Sequence, residues 1–128
     1  MKNMLEDRII SVETAELAKE KGFNEEVGHY YSNNDLINPK HSYNFNLHNE
    51  NIDISSAPTQ SLLQKWLREF YKLHVRVDNV NRPQKNKWCF EIYKLPSGVI
   101  NLWNETSKVY NSYEDALEIG LQEALKLI

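Results

Sequence analysis

A single cysteine, Cys89, stands among 128 residues. That excludes an intramolecular disulfide and leaves no thiolate cluster to hold a structural zinc. Glycine is scarce and scattered. Gly22, Gly28, Gly98 and Gly120 each stand alone, so the chain has neither a glycine-rich phosphate loop nor a serine in a nucleophile-elbow setting. No stretch approaches the roughly 20 apolar residues of a membrane span. Glu6 and Asp7 lie where a signal peptide needs a basic patch followed by an apolar run, so the expected compartment is the cytoplasm. A basic surplus is missing too: the formal net charge of −3 argues against nucleic-acid binding over the whole surface.

At 41% hydrophobic and 26% charged, the chain is rich enough in apolar residues to fold and too balanced for wholesale disorder. Its length predicts one domain over residues 1–128, able to bury roughly two-thirds of the surface its unfolded form exposes.

The clearest signal lies at residues 56–77. Leu62, Trp66 and Phe70 recur every four residues, and Leu63, Leu67 and Tyr71 lie beside them. That spacing predicts an amphipathic helix over 58–72 with all six on one broad face. Pro58 suits its first turn, and Ser56 or Thr59 can cap it. Alternation follows, with Leu73, Val75 and Val77 to one side and His74, Arg76 and Asp78 to the other, the period of a strand. Trp66 and Phe70 are expected to be buried against Val75, Phe90 and Ile92.

Residues 87–94 alternate again, with Trp88, Phe90 and Ile92 on one face and Cys89, Glu91 and Tyr93 on the other. A polar hairpin connection over 81–86 joins the two strands. A turn at 95–98 leads to a third strand at 99–103, and 108–110 add a short extension. Ser112 is set to cap a final helix that carries Leu117, Leu121 and Leu125 in a row. Beside that row Ala116, Gly120 and Ala124 repeat every four residues, a spacing that allows close approach to another element. Near the start, Ser11 and Gly22 frame a short helix as N-cap and left-handed C-terminal residue.

Between them, residues 24–57 lose periodicity. Eight asparagines punctuate the segment, Pro39 interrupts it, and the reading is a long irregular stretch with at most a weak strand over 42–47. The expected fold is therefore a two-layer α+β domain. A three-stranded antiparallel sheet carries helices on one face in the order α-β-β-β-α from residue 58, after an N-terminal helix within 1–23 and the irregular segment.

Residues 14–23 (TAELAKEKGF), 56–69 (SAPTQSLLQKWLRE) and 113–128 (YEDALEIGLQEALKLI) form an ordered set. Together they resemble a group of small, uncharacterised phage- or prophage-associated proteins of gut bacteria. The resemblance implies a mobile-element origin. It supplies no activity and no catalytic residues, and it does not extend to 24–55.

Residues 58–111 hold nine bases against four acids in an otherwise acidic chain. The α-β-β-β-α order is similar to that of double-stranded RNA-binding domains, with Arg82, Lys85 and Lys87 in the first hairpin. Glu114 and Asp115 depart from that pattern, because they stand where such domains carry lysines. Arg76, Arg82, Lys85 and Lys87 are the candidate nucleic-acid contacts, and a solvated basic face is the better account of them. Tyr93, Trp103 and Tyr110 are candidates for a stacking or docking surface on the outer sheet face.

His29, His41, His48 and His74 lack metal-ligand spacing, and Cys89 sits mid-strand with no helix start beside it. No catalytic, cofactor or metal site is assigned, and no enzyme is expected. The function expected is that of a non-enzymatic accessory protein working through an unidentified protein partner or self-association, away from membranes. The alternative is a nucleic-acid-binding module using residues 65–87.

Overall fold

In a computed structural model of the chain, the residues described are 7–47, 53–80, 87–96, 100–104 and 108–128, with the main chain alone at 100–104. The fold is α+β, built from three helices and two antiparallel three-stranded sheets among those residues. The chain divides into two compact units, Met1–Leu62 and Leu63–Ile128.

In the first unit, helix α1 spans Val12–Glu20. Ser11 caps it as the sequence implies, its hydroxyl accepting from the Thr14 N–H at 3.3 Å. The helix ends in a Schellman turn. Phe23 N–H donates to Ala18 C=O and Gly22 N–H to Lys19 C=O, with Gly22 at φ 92° and Phe23 buried beyond it.

The expectation of an irregular segment over 24–57 is overturned by a small sheet. Strands β1 (Tyr30–Ser32), β2 (Asp35–Ile37) and β3 (Ile54–Ser56) lie in the order β2-β1-β3. Its physical basis is the pair Asn33 and Asn34, both at positive φ (51° and 71°), between the paired residues Ser32 and Asp35. A two-residue loop with both residues left-handed is the mirror-image turn that fits strand twist, and asparagine tolerates it. The weak strand expected over 42–47 is absent: Tyr43 makes one bridge to Val27, and residues 45–47 turn. Asn46 stitches that turn down, donating to Phe23 C=O and accepting from the Ser56 N–H. Asparagines here act as structural cross-links.

Helix α2 (Gln60–Tyr71) begins two residues later than expected. Thr59 supplies the cap, accepting from the Leu62 N–H at 3.3 Å, while Ser56 belongs to β3. In the second unit, Lys72 alone separates α2 from strand β4 (Leu73–Val80), turning the chain in a left-handed conformation at φ 58°. Strands β4, β5 (Lys87–Lys94) and β6 (Ile100–Asn104) pair in that order, and Tyr110 bridges back to Trp88. The connection 81–86 lies outside the described residues. Val75 stands opposite Ile92 and Val77 opposite Phe90, which builds the apolar face.

Helix α3 (Tyr113–Lys126), capped by the Ser112 hydroxyl on the Asp115 N–H, packs closely on this face. A Cβ placed on Gly120 would stand 2.7 Å from Val75 Cγ1 and 3.0 Å from Phe90 Cγ, so only glycine permits the approach. Leu63, Trp66 and Leu67 of α2 are buried, and Gln64 Nε2 reaches the Val75 carbonyl at 2.6 Å. Phe70 corrects the sequence reading. It is 62% exposed where Trp66 is 6%, because it occupies the last turn of α2 with Trp66 beside it and solvent beyond.

Candidate functional site

Because side chains alternate along a strand, β4 and β5 present a second face opposite the core. Register sets His74 opposite Tyr93, Arg76 opposite Glu91 and Asp78 opposite Cys89. The Arg76 Nε lies 3.1 Å from Asp78 Oδ1, and its guanidinium carbon is 5.9 Å from the Tyr93 ring centre. The Tyr93 hydroxyl donates to the Glu91 carboxylate. One arginine thus pairs with the acid two residues on and lies against an aromatic ring whose hydroxyl is held by the acid opposite.

The same neighbours set the protonation of the face. Burial pushes the Cys89 thiol up, and the carboxylates of Asp78 and Glu91 push it further the same way. Burial lowers the His74 pKa, and the positive charges of Arg68 and Arg76 lower it again. Tyr93 is raised, first by its hydrogen bond to Glu91. A protonated thiol and a neutral imidazole face different partners, four residues apart along the strands or about 13 Å. Cys89 and His74 cannot act as nucleophile and base at that separation.

Of the candidate nucleic-acid contacts, the two among the described residues, Arg76 and Lys87, are each engaged. Arg76 is held by Asp78, Lys87 donates to the side chain of Asn111, and Arg82 and Lys85 lie outside the described residues. The three aromatics proposed for one surface are also not brought together. Tyr93 lies on the outer face, whereas the half-buried Tyr110 packs its ring 6.2 Å from that of Phe90 on the core side. Trp103 pairs through its main chain with Ile92, and its side chain lies outside the described residues. Sequence alternation announced the polar face; its internal pairing depends on register across strands.

Elsewhere, His29 lends its carbonyl to the Ala57 N–H, His41 is exposed, and His48 lies outside the described residues. Among the described residues, no three of His, Cys, Asp and Glu converge to hold a metal. The first unit carries a shallow cleft of ≈ 160 Å³ between α1 and the β1–β2 turn, lined by Glu16, Tyr31, Asn33, Asn34, Asp53 and Ser55 among others. The Tyr31 hydroxyl there is committed to the Ile10 carbonyl at 2.7 Å.

Two further rings lie on α2 beside Trp66. Phe70 lies beside Trp66 with ring centres 6.3 Å apart, and Tyr71 meets Trp66 edge-on at 5.1 Å. No family model matches the chain, and no curated protein or solved structure matches it significantly.

Proposed function

We propose that this chain is a non-enzymatic accessory protein of a mobile element, acting in the host cytoplasm through protein contacts. The observation that carries the reading is Phe70, a large aromatic 62% exposed on a helix whose neighbouring apolar residues are buried. Exposed aromatics backed by a packed ring are the kind of residue that dominates protein interfaces. The mobile-element part rests on the three sequence blocks that resemble phage- and prophage-associated proteins. Among the described residues no helix is long and apolar enough to cross a membrane.

The alternative, a nucleic-acid-binding module, is the weaker reading because Arg76 and Lys87 are already engaged and Glu114 and Asp115 begin α3. The test is paired affinity capture from cells that carry the element, with the wild type and Phe70→Asp as baits. Phe70 is exposed, so the variant should keep its melting temperature. A protein retained by the wild type and lost on Phe70→Asp is expected. Equal recovery on both baits ends the reading.

A further inference from the structure

Strand β4 is eight residues long and ends its sheet, since the order is β4-β5-β6. The direction of its main-chain groups follows from one bond. Leu95 N–H donates to Lys72 C=O at 2.7 Å, so that pair is hydrogen-bonded, and in an antiparallel ladder bonded pairs alternate with non-bonded ones. His74, Arg76, Asp78 and Val80 therefore turn their N–H and C=O toward β5. Leu73, Val75, Val77 and Asn79 turn theirs outward. The Gln64 amide that donates to the outward Val75 carbonyl agrees with this assignment. Among the described residues nothing bonds the main chain of Val77 or Asn79, and Arg76 and Asn79 are exposed. Long edges of this kind are templates for another strand.

We infer that a second copy of this chain docks along β4, antiparallel, with the two-fold axis at Val77, so that two three-stranded sheets become one. Charge selects the occupant and the register. With the axis at Val77, Arg76 faces Asp78 of the second copy and Asp78 faces its Arg76, both on the outer face. The bonded pairs are then Val77 with Val77, and Val75 with Asn79 on each side, and all three residues turn main-chain groups outward. Asn79 N–H takes the place of the Gln64 amide on the Val75 carbonyl. An axis one residue earlier sets Arg76 against Arg76, and one residue later sets Asp78 against Asp78. Like charges directly opposite are destabilising, which removes both neighbouring registers. A strand of alternating opposite charges about its own centre is complementary to itself.

This proposal stands on β4 and not on Phe70. A chain that stays monomeric yet captures a partner through Phe70 removes the proposal and leaves the functional reading intact.

The experiment is sedimentation equilibrium of the full chain at concentrations reaching the millimolar range, for the wild type, Arg76→Asp, Asp78→Arg and the double exchange. The wild type should dimerise. Each single exchange sets like charges opposite one another and should weaken the dimer by about tenfold or more in Kd. The double exchange restores complementarity in this register alone and should recover the wild-type Kd. Monomers at every concentration overturn the proposal, as does a dimer indifferent to the exchanges or one that the double exchange fails to restore. If a single exchange lowers the melting temperature, amide exchange on the wild type decides instead. The Val77 and Asn79 N–H groups should then be protected increasingly with concentration, and unchanged rates overturn the pairing.

Discussion

Cys89 and His74 share the outer face of the second sheet, and their surroundings move both toward the uncharged form. For the thiol, burial and the carboxylates of Asp78 and Glu91 disfavour the thiolate, the species that reacts. Alkylation of native Cys89 at mildly alkaline pH should therefore run several-fold slower than alkylation of the urea-unfolded chain. Equal rates would contradict the burial argument. For the imidazole, a folded pKa below the unfolded value means that the unfolded chain binds more protons as pH falls. The stability that neutral His74 permits is full above the ordinary histidine pKa and is lost as pH drops through its lowered folded value. Its buried Nδ1 has no partner among the described residues, so a proton there gains no acceptor. Urea melts from about pH 8 to about pH 5 should show a shallower pH dependence in His74→Gln than in the wild type. Identical slopes would mean that the imidazole protonates freely in the folded state.

Elements differ in how far their own residues announce them. The caps of α1 and α3, the left-handed Gly22 and the alternation of β4 and β5 are local devices, each readable within a few residues. The β1–β2 hairpin is equally local but was hidden. Asn33 and Asn34 signal a tight turn less strongly than Asn-Gly does, and strands of three residues are too short to show alternation. Phe70 illustrates the other limit. Spacing places it on the apolar face of α2, but whether anything covers the last turn of a helix is a tertiary fact. The small-residue row on α3 lies between these cases, since its spacing suggests close approach without naming the partner. The partners are Val75 and Phe90, and they give Gly120→Ala a definite sign. Helix propensity alone favours alanine by up to about 1 kcal/mol. Against this, a Cβ 2.7 Å from a β-branched side chain on a strand forces overpacking, which costs about 1–3 kcal/mol. Net destabilisation in denaturant melts is expected, and a stabilised Gly120→Ala would place the helix farther from the sheet.

Charge is a property of the whole molecule, and it bears on the nucleic-acid alternative more than any single residue does. The basic surplus of residues 58–111 was legible from composition, whereas the partners that hold Arg76 and Lys87 were not. Asp78 lies two residues from Arg76, a separation that becomes a same-face contact only in a strand, and Asn111 meets Lys87 only through the folded chain. The pI of ≈ 5.8 and the acids at the start of α3 further reduce attraction for phosphate. A binding mode through these cations would release counterions. Its affinity would then fall with salt at a log–log slope of about −0.9 per phosphate neutralised on duplex DNA. Exchanging Arg76 and Lys87 together for glutamine would flatten that slope by nearly two units. We expect instead no saturable binding of the wild type to duplex or single-stranded probes at near-physiological salt, and hence no change on the double substitution. The substitutions themselves should leave the fold intact, because the pairs they remove lie at or near the surface, where such changes usually stay within about 0.5 kcal/mol. A micromolar, salt-sensitive complex that disappears with Arg76 and Lys87 would reverse the order of the two functional readings. It would also show that the Asp78 and Asn111 contacts yield to phosphate when it is offered.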